Sequence, residues 1–363
     1  MLYNVEKGVK ILDNYFKNMV KALNDDNTHL LSEGGNSAEF TGWLDSGSYI
    51  LNALVSGSLY GGIPNNKITA LAGDQATGKT FFALGMVSNF LDKDKESGVM
   101  YYDTEAAVTQ EMMSTRGIDI DRLIVSEPET VQQFRHLTLQ ALNRYIEHKS
   151  DAPPMMMVLD SLGQLSTTKE VDDTAQGLET KDMTRAQIIK GTFRVLGLKL
   201  ARAKVPMIIT NHTYSSMGLY PTKEMSGGSG LKYTASTILM LSKKIDKDVG
   251  KDEGNLIKVV AEKSRFTKEK KIVEVRLSYD TGLDRYYGLL DLAEKYEIIK
   301  KVSTRYEMPD GSKHFSKAIN NDPERFYTED IMHRLDIAAG VEYKYGGHSN
   351  EVEEVEEMVN AED

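Results

Sequence analysis

At 363 residues, 40% hydrophobic and 27% charged, the chain has the composition of an ordinary globular protein. Its longest apolar runs resemble Met155–Leu159, far short of a membrane span, and it has no cysteine, so disulfides and thiolate metal sites are excluded. The net charge of −10 does not exclude nucleic acid, because seven of the acidic residues lie within 351–363, leaving −3 for the other 350 residues.

The first turns carry charges, which reads against a secretory signal. Val5, Val9, Leu12, Phe16, Met19 and Leu23 recur at spacings of four and three, which predicts an amphipathic helix. Its apolar stripe packs either on its own domain or on a neighbouring subunit. Asn24–Ala38 is polar, holds Gly34-Gly35 and reads as a linker, so residues 1–40 form an N-terminal helix and linker. Phe40, Trp43 and Leu44 begin an ordered segment, and a nucleotide domain is expected over 41–285. A small C-terminal region over 286–347 and a solvated acidic tail over 348–363 follow. The tail is either bland or a competitor of DNA for a basic surface.

Lys67–Ala72 predicts a buried strand, and Phe81–Val87 the start of a helix. Between them Gly73-Asp74-Gln75-Ala76-Thr77-Gly78-Lys79-Thr80 fits G-x-x-x-x-G-K-[ST]. Strand, glycine loop and helix together make a phosphate-binding loop. Gly73, Asp74, Gln75, Ala76, Thr77, Gly78, Lys79, Thr80 and the adjoining Phe81 are therefore the candidate nucleotide site. Backbone N–H groups and the helix N-terminus would take the phosphates. Lys79 would reach the β- and γ-phosphates, and the Thr80 hydroxyl would ligate Mg²⁺. ATP and Mg²⁺ are the expected cofactors.

Downstream, strands over Val99–Asp103, Met155–Asp160 and Val205–Asn211 alternate with helices over Val131–Tyr145 and Met183–Lys204. This alternation predicts an α/β fold with a mostly parallel sheet. Ile238–Leu241, Leu256–Ala261 and Ile272–Leu277 are joined by short turns such as Asp252-Glu253-Gly254-Asn255, which predicts antiparallel strands added at one side. Helices over Gly288–Ile299 and Glu329–Ala339 belong to the C-terminal region.

Hydrolysis of a bound triphosphate needs a metal-holding carboxylate and a group that orients water. Asp160, ending an apolar strand with Ser161 beside it, suits the first role. Glu105 or Asp103, after the strand Val99–Asp103, suits the second; spacing does not separate them. His212, at the end of another strand, could touch the γ-phosphate and report it to the next loop. That loop, Thr213–Lys232, carries Gly218, Gly227, Gly228, Gly230, Lys223 and Lys232, and suits a flexible polyanion. A second long polar loop, Ser161–Asp182, ends near Arg185. Lys263, Arg265, Lys268, Lys270 and Lys271 form a basic run that is a solvated hairpin, a DNA contact or a contact to a neighbour's nucleotide.

Asp160-Ser161-Leu162-Gly163, Asp182-Met183-Thr184-Arg185-Ala186, Asn211-His212-Thr213-Tyr214, Gly227-Gly228-Ser229-Gly230 with Lys232-Tyr233, and Glu262-Lys263-Ser264-Arg265 resemble the RecA family of recombinases, in particular its UvsX branch of tailed phages. The resemblance covers roughly residues 45 to 300. It implies a RecA-like ATPase core and a DNA-dependent ATPase that forms a helical filament on single-stranded DNA. Homologous pairing and strand exchange with duplex DNA, with ATP held between protomers in a homo-oligomer, complete the implied activity. Recombination mediators and single-strand-binding proteins are implied partners, and the cytoplasm (the host's, if viral) the implied location. By resemblance Lys79, Glu105 and His212 are catalytic, with Glu105 activating water and His212 sensing the γ-phosphate. Lys263 and Arg265 would reach a neighbour's ATP, and the N-terminal helix would dock on the adjacent core. The loops 161–182 and 213–232, with Arg185, Lys223, Gly227, Gly228, Gly230 and Lys232, would bind DNA. The family's adenine-stacking tyrosine falls on Met112 here, so Tyr286 or Tyr287 is the candidate ring. The alternatives carried are a ring-forming helicase on the same core, a small-molecule phosphotransferase and a filament protein that binds ATP without turnover.

Overall fold

The computed structural model describes residues 15–25, 27–33, 42–148, 150–178, 182–215, 223–244 and 254–346. Val5, Val9, Leu12, the Gly34-Gly35 pair, Gly218, the Asp252-Glu253 turn and the acidic tail lie outside them. The chain divides into two units, at Phe40 and Thr41. In the first, residues 15–23 form helix α1, with Phe16, Met19 and Leu23 exposed.

In the second unit, β1 (Trp43–Leu44) pairs with β2 (Ile63–Pro64) around the buried helix α2 (Tyr49–Ser56). Then come β3 (Ile68–Gly73), α3 (Lys79–Lys93), β4 (Gly98–Asp103), α4 (Gln110–Ser114), β5 (Leu123–Ser126), α5 (Val131–Glu147) and β6 (Met155–Asp160). After α6 (Thr168–Ala175) and α7 (Arg185–Ala203), β7 (Met207–Ser215) and β8 (Lys223–Met225) form a hairpin. α8 (Gly230–Thr234) leads to β9 (Thr237–Lys244), β10 (Gly254–Ser264), β11 (Ile272–Ser278) and β12 (Gly282–Leu283). Beyond α9 (Leu289–Lys295), strands β13 (Lys300–Val302), β14 (Arg305–Glu307) and β15 (Lys313–His314) make a separate small sheet. Helices α10 (Ser316–Asn321), α11 (Pro323–Phe326) and α12 (Glu329–Tyr343) end the described chain.

Among the described residues the main sheet has ten strands, in the order β12-β11-β10-β9-β3-β7-β6-β4-β5 with β8 paired to β7. The run β9-β3-β7-β6-β4-β5 is parallel, and β10 to β12 add antiparallel strands at one side. The central parallel strands β3 and β6 are largely apolar because both their faces are buried. Along β6, Met156 and Val158 enter the core beneath α2 and α3, while Met157 and Leu159 enter the one beneath α5 and α7. Period two on a doubly covered strand thus appears in the sequence as an unbroken apolar run.

Two expected loops hold regular structure. Within Ser161–Asp182 lies α6, started by a capping box in which the Thr167 hydroxyl accepts from the Glu170 N–H and the Glu170 carboxylate accepts from the Thr167 N–H. No α6 residue is buried, so apolar periodicity never marked it; the Thr167…Glu170 spacing was the available signal. Within Thr213–Lys232, β7 runs on to Ser215, β8 returns beside it, and α8 begins at Gly230. Edge strand β5 was also not anticipated, because it leaves Ile124 and Val125 exposed.

Glu342 fastens α12 to the end of α9 and to the residue before β11. Its carboxylate accepts from Lys271 Nζ at 2.6 Å, Lys295 Nζ at 2.6 Å and the Tyr296 hydroxyl at 2.9 Å. Burial raises its pKa, but Lys271, Lys295 and Tyr296 outweigh burial and bring it down to about 2. The charge therefore contributes stability above the ordinary glutamate value, and that contribution fades as pH falls through about 2. We expect Glu342→Gln to lower unfolding free energy by about 2 kcal/mol at pH 7, the two lysines being partly solvated. Denaturant titrations from pH 7 downward check this; a variant as stable as the parent at pH 7 refutes it. Among the described residues no helix is long and apolar enough to cross a membrane.

Candidate functional site

The C-terminal ends of β3, β4, β6 and β7 meet at one edge, where open α/β sheets carry ligands. The glycine loop joins β3 to α3. Ala76 lies at φ 59° and Gly78 at φ 83°, turning the chain so that α3 starts at Lys79. A Cβ on Gly73 would sit 2.6 Å from the Leu241 carbonyl oxygen, so close packing against β9 demands glycine there. The Thr77 hydroxyl donates to the Asp74 carbonyl at 2.9 Å. Lys79 is buried and donates from Nζ to the carbonyls of Gly73 (3.1 Å) and Asp74 (2.8 Å). Burial lowers its pKa, against the attraction of Glu105, Asp160 and Asp74.

Asp160 lies at the end of β6, 4% exposed, where it accepts from the Thr210 hydroxyl and from the Tyr101 hydroxyl at 2.8 Å. Thr210 and Tyr101 were not singled out in the sequence, and core positions on apolar strands gave no cue. Thr80, on the first turn of α3, is half-buried. A loop of turned backbone N–H groups ending in a helix N-terminus, with one hydroxyl and one carboxylate nearby, suits a Mg²⁺ triphosphate, since Mg²⁺ keeps several waters and takes few protein ligands. Among the described residues there is no cluster of three His, Asp or Glu that could hold a metal by itself.

The two carboxylates left open after β4 have different surroundings. Asp103 is 3% exposed and accepts from the N–H groups of Glu105 (3.1 Å), Ala107 (3.3 Å) and Val108 (3.0 Å), fixing the turn that follows the strand. Glu105 is exposed; its Oε1 accepts from the Ser161 hydroxyl at 2.7 Å and lies 2.8 Å from His212 Nε2. Burial raises the Glu105 pKa, but Ser161, His212 and Lys79 together hold it below the ordinary value. Thr104 stitches the ends of β4 and β6: its hydroxyl donates to the Ser161 carbonyl and accepts from the Ser161 N–H, both at 2.8 Å. A hydroxyl residue directly after each strand is the sequence signal for Thr104 and Ser161.

His212 lies within β7, which was expected to end before it but continues to Ser215 because β8 pairs with it there; a Cβ on Gly163 would lie 3.2 Å from the His212 ring, so the turn after β6 packs closely against it. The Ser226 N–H donates to the His212 carbonyl at 2.9 Å, and Asn211 Nδ2 donates to the Ser226 carbonyl at 2.8 Å. The histidine beside Glu105 is thereby bonded to the glycine turn that follows β8.

The remaining candidates are more dispersed. Gly227, Gly228 and Gly230 lie against α7: Cβ atoms there would meet Ile189, Ala186 and the Lys190 backbone. Their glycine content reflects close packing as well as turning. Arg185 donates to the carbonyls of Gly163 and Leu165. Lys263 Nζ caps the end of α8 through the carbonyls of Lys232 (2.7 Å), Tyr233 (3.2 Å) and Ala235 (2.7 Å), whereas Arg265 is exposed. The Lys232 ammonium lies 3.9 Å from Glu262. Tyr286 stacks on Tyr327 and meets Tyr49 edge-on, and Tyr287 lies under the Arg276 guanidinium, 4.3 Å from the ring centre. Met112 sits on α4, and its carbonyl accepts from Arg116, whose guanidinium covers Phe81 at 4.3 Å.

A family model described as RecA N-terminal domain matches residues 10–284. The chain is 30% identical over 252 residues to the recombination and repair protein of Enterobacteria phage T4, a match spanning 69% of this chain and 63% of that relative, just under two thirds of its length. It is 27% identical to the protein RecA of Clavibacter michiganensis over 77% of this chain and 76% of the relative. Identity to the protein RecA of Lactobacillus johnsonii is 26%, over 83% and 81% respectively.

Proposed function

We propose, from the premise that this chain belongs to the RecA family, that it is an ATP-dependent recombinase that polymerises on single-stranded DNA and pairs it with homologous duplex. The observation that carries the reading is the Glu105–Ser161–His212 cluster at the mouth of the phosphate loop, bonded directly to the glycine turn after β8.

In this reading the N–H groups of the loop and Lys79 bind the β- and γ-phosphates. Thr80 and Asp160 would hold Mg²⁺, which supplies charge neutralisation at the phosphates when bound. Glu105 orients and polarises the attacking water, with Ser161 fixing the carboxylate rotamer. His212 reads the γ-phosphate from the same carboxylate and passes the state to the β7–β8 hairpin. The loops 161–182 and 213–232, with Arg185, Lys223, Gly227, Gly228, Gly230 and Lys232, take the DNA backbone. For Arg185 this means releasing the carbonyls of Gly163 and Leu165. Arg265 reaches a neighbour's nucleotide; Lys263 would do so on leaving the end of α8.

Filament assembly is supported by two apolar surfaces that are exposed among the described residues. α1 exposes Phe16, Met19 and Leu23, and β5, the edge strand of the sheet among the described residues, exposes Ile124 and Val125. A neighbouring copy would cover both.

The test is ATP turnover with and without single-stranded DNA, scored alongside electron micrographs of the same sample. We expect turnover to rise at least about tenfold with DNA, filaments on the strands, and an affinity that falls steeply with salt through counterion release. Turnover indifferent to DNA would remove the recombinase reading. Closed rings without filaments would favour a helicase, and a phosphorylated acceptor without free phosphate a phosphotransferase.

A further inference from the structure

The β7–β8 hairpin is fastened to the phosphate loop by a contact outside the steps above. Asp74, second residue of the glycine loop, accepts at Oδ1 from the Thr213 hydroxyl at 2.6 Å, and its Oδ2 is ion-paired with Lys223 Nζ. Thr213 lies on β7 and Lys223 on β8, two positions along the ladder from one another, with Ser215 opposite Lys223. One carboxylate at the mouth of the loop thus ties both strands of the hairpin. Its pKa is held below the ordinary value, first by Lys223 and then by Thr213. The carbonyl of the same residue accepts from Lys79 and Thr77. Asp74 therefore stands between the lysine of the phosphate loop and the lysine of the hairpin.

We infer that Asp74, Lys223 and Thr213 form a latch that holds the hairpin on the phosphate loop until phosphate groups compete for Lys223. The inference rests on the nucleotide reading of that loop. The strength of the contact suits a latch. The side chains are 47% and 54% exposed, and an exposed ion pair shifts an equilibrium by roughly fivefold at most. A terminal phosphate carrying more than one charge, or a row of singly charged phosphodiesters, brought to the same mouth, attracts an ammonium more strongly than one carboxylate does. The competing phosphate could belong to a triphosphate in the loop or to a nucleic-acid strand on the hairpin. A lysine held by Asp74 is not available to either.

Hydrogen–deuterium exchange of the full chain tests this at the amides of 213–215 and 223–225. Parent, Asp74→Asn and Lys223→Gln proteins are compared without ligand, with a non-hydrolysable ATP analogue alone, and with a single-stranded oligonucleotide alone. Both variants should exchange roughly threefold to fivefold faster than the parent without ligand. Nucleotide-free Asp74→Asn should also bind the oligonucleotide about threefold more tightly, a gain that disappears in the Asp74→Asn, Lys223→Gln double variant. Acceleration of the parent by the analogue alone assigns the competing phosphate to the nucleotide; acceleration by the oligonucleotide alone assigns it to the strand. Equal exchange in parent and variants, unmoved by either ligand, overturns the latch. A hairpin that loosens in the variants while no form of the protein binds oligonucleotide upholds the latch and removes the recombinase reading instead.

Discussion

Glu105→Gln is expected to lower ATP turnover by about 10² to 10³-fold while leaving nucleotide affinity within about threefold of the parent. The substitution keeps the shape of the side chain, and its carbonyl oxygen can still accept from the Ser161 hydroxyl, which reaches Glu105 at 2.7 Å. What it removes is the negative charge that would polarise a water towards the γ-phosphate. Lys79, Thr80 and the loop N–H groups are untouched, so binding should survive, and so should ATP-stabilised binding to single-stranded DNA. Single-turnover hydrolysis and equilibrium nucleotide titration on the same preparation separate the two effects. Turnover equal to the parent's takes the water-activating role away from Glu105. ATP-stabilised DNA binding by a parent that never turns ATP over would leave a non-catalytic filament protein. The acid limb of the parent's pH profile carries a second check. Ser161, His212 and Lys79, prevailing over burial, hold the Glu105 carboxyl below its ordinary value of 4.5, so its charge persists to lower pH than in a free side chain. The corresponding fall in kcat/KM should begin below that ordinary value.

Gly230→Ala is expected to destabilise the protein by about 2–3 kcal/mol, lowering Tm by roughly 5–10 °C. A methyl group there would stand 2.6 Å from the Lys190 Cα and 2.8 Å from its backbone nitrogen. Both atoms belong to α7, so relief requires moving one helix against another. Gly191, the next residue along α7, is the internal control. A Cβ on it meets nothing within 4 Å, and α7 is helical throughout, so Gly191→Ala should be neutral or stabilise by up to about 1 kcal/mol. Denaturant unfolding of the two variants side by side reads opposite signs. Equal stability of parent and Gly230→Ala would mean that α8 shifts freely over α7, and the glycine would return to the role of a flexible loop element.

The glycine pair also marks how far the sequence could be read. Gly227, Gly228 and Gly230 were expected to lend a mobile backbone to a polyanion, on composition alone. What they pack against is set by α7, some forty residues earlier in the chain, and composition carries no record of that distance. The glycine loop at Gly73–Thr80 was readable because its geometry is local: Ala76 and Gly78 turn the chain within the motif itself. The strands were readable for a related reason. Residues such as Met156 to Leu159 are buried on both faces, and their continuous apolar run needs no partner to be recognised. Helix α6 escaped because it buries nothing, and only its capping pair, Thr167 and Glu170, announced it.

By itself the sequence determined the glycine loop between β3 and α3, the alternation that makes a mostly parallel sheet, and the carboxylates available at its edge. Each of these depends on residues within a few positions of one another. The tertiary structure decided which carboxylate is at liberty. Asp103 and Glu105 are equivalent by spacing, yet three backbone N–H groups consume the first, while Ser161 and His212 aim the second. It also decided that Asp74 meets Lys223, 149 residues away. A charge finds its partner through the folded surface, where separation along the chain has no bearing on the distance between side chains.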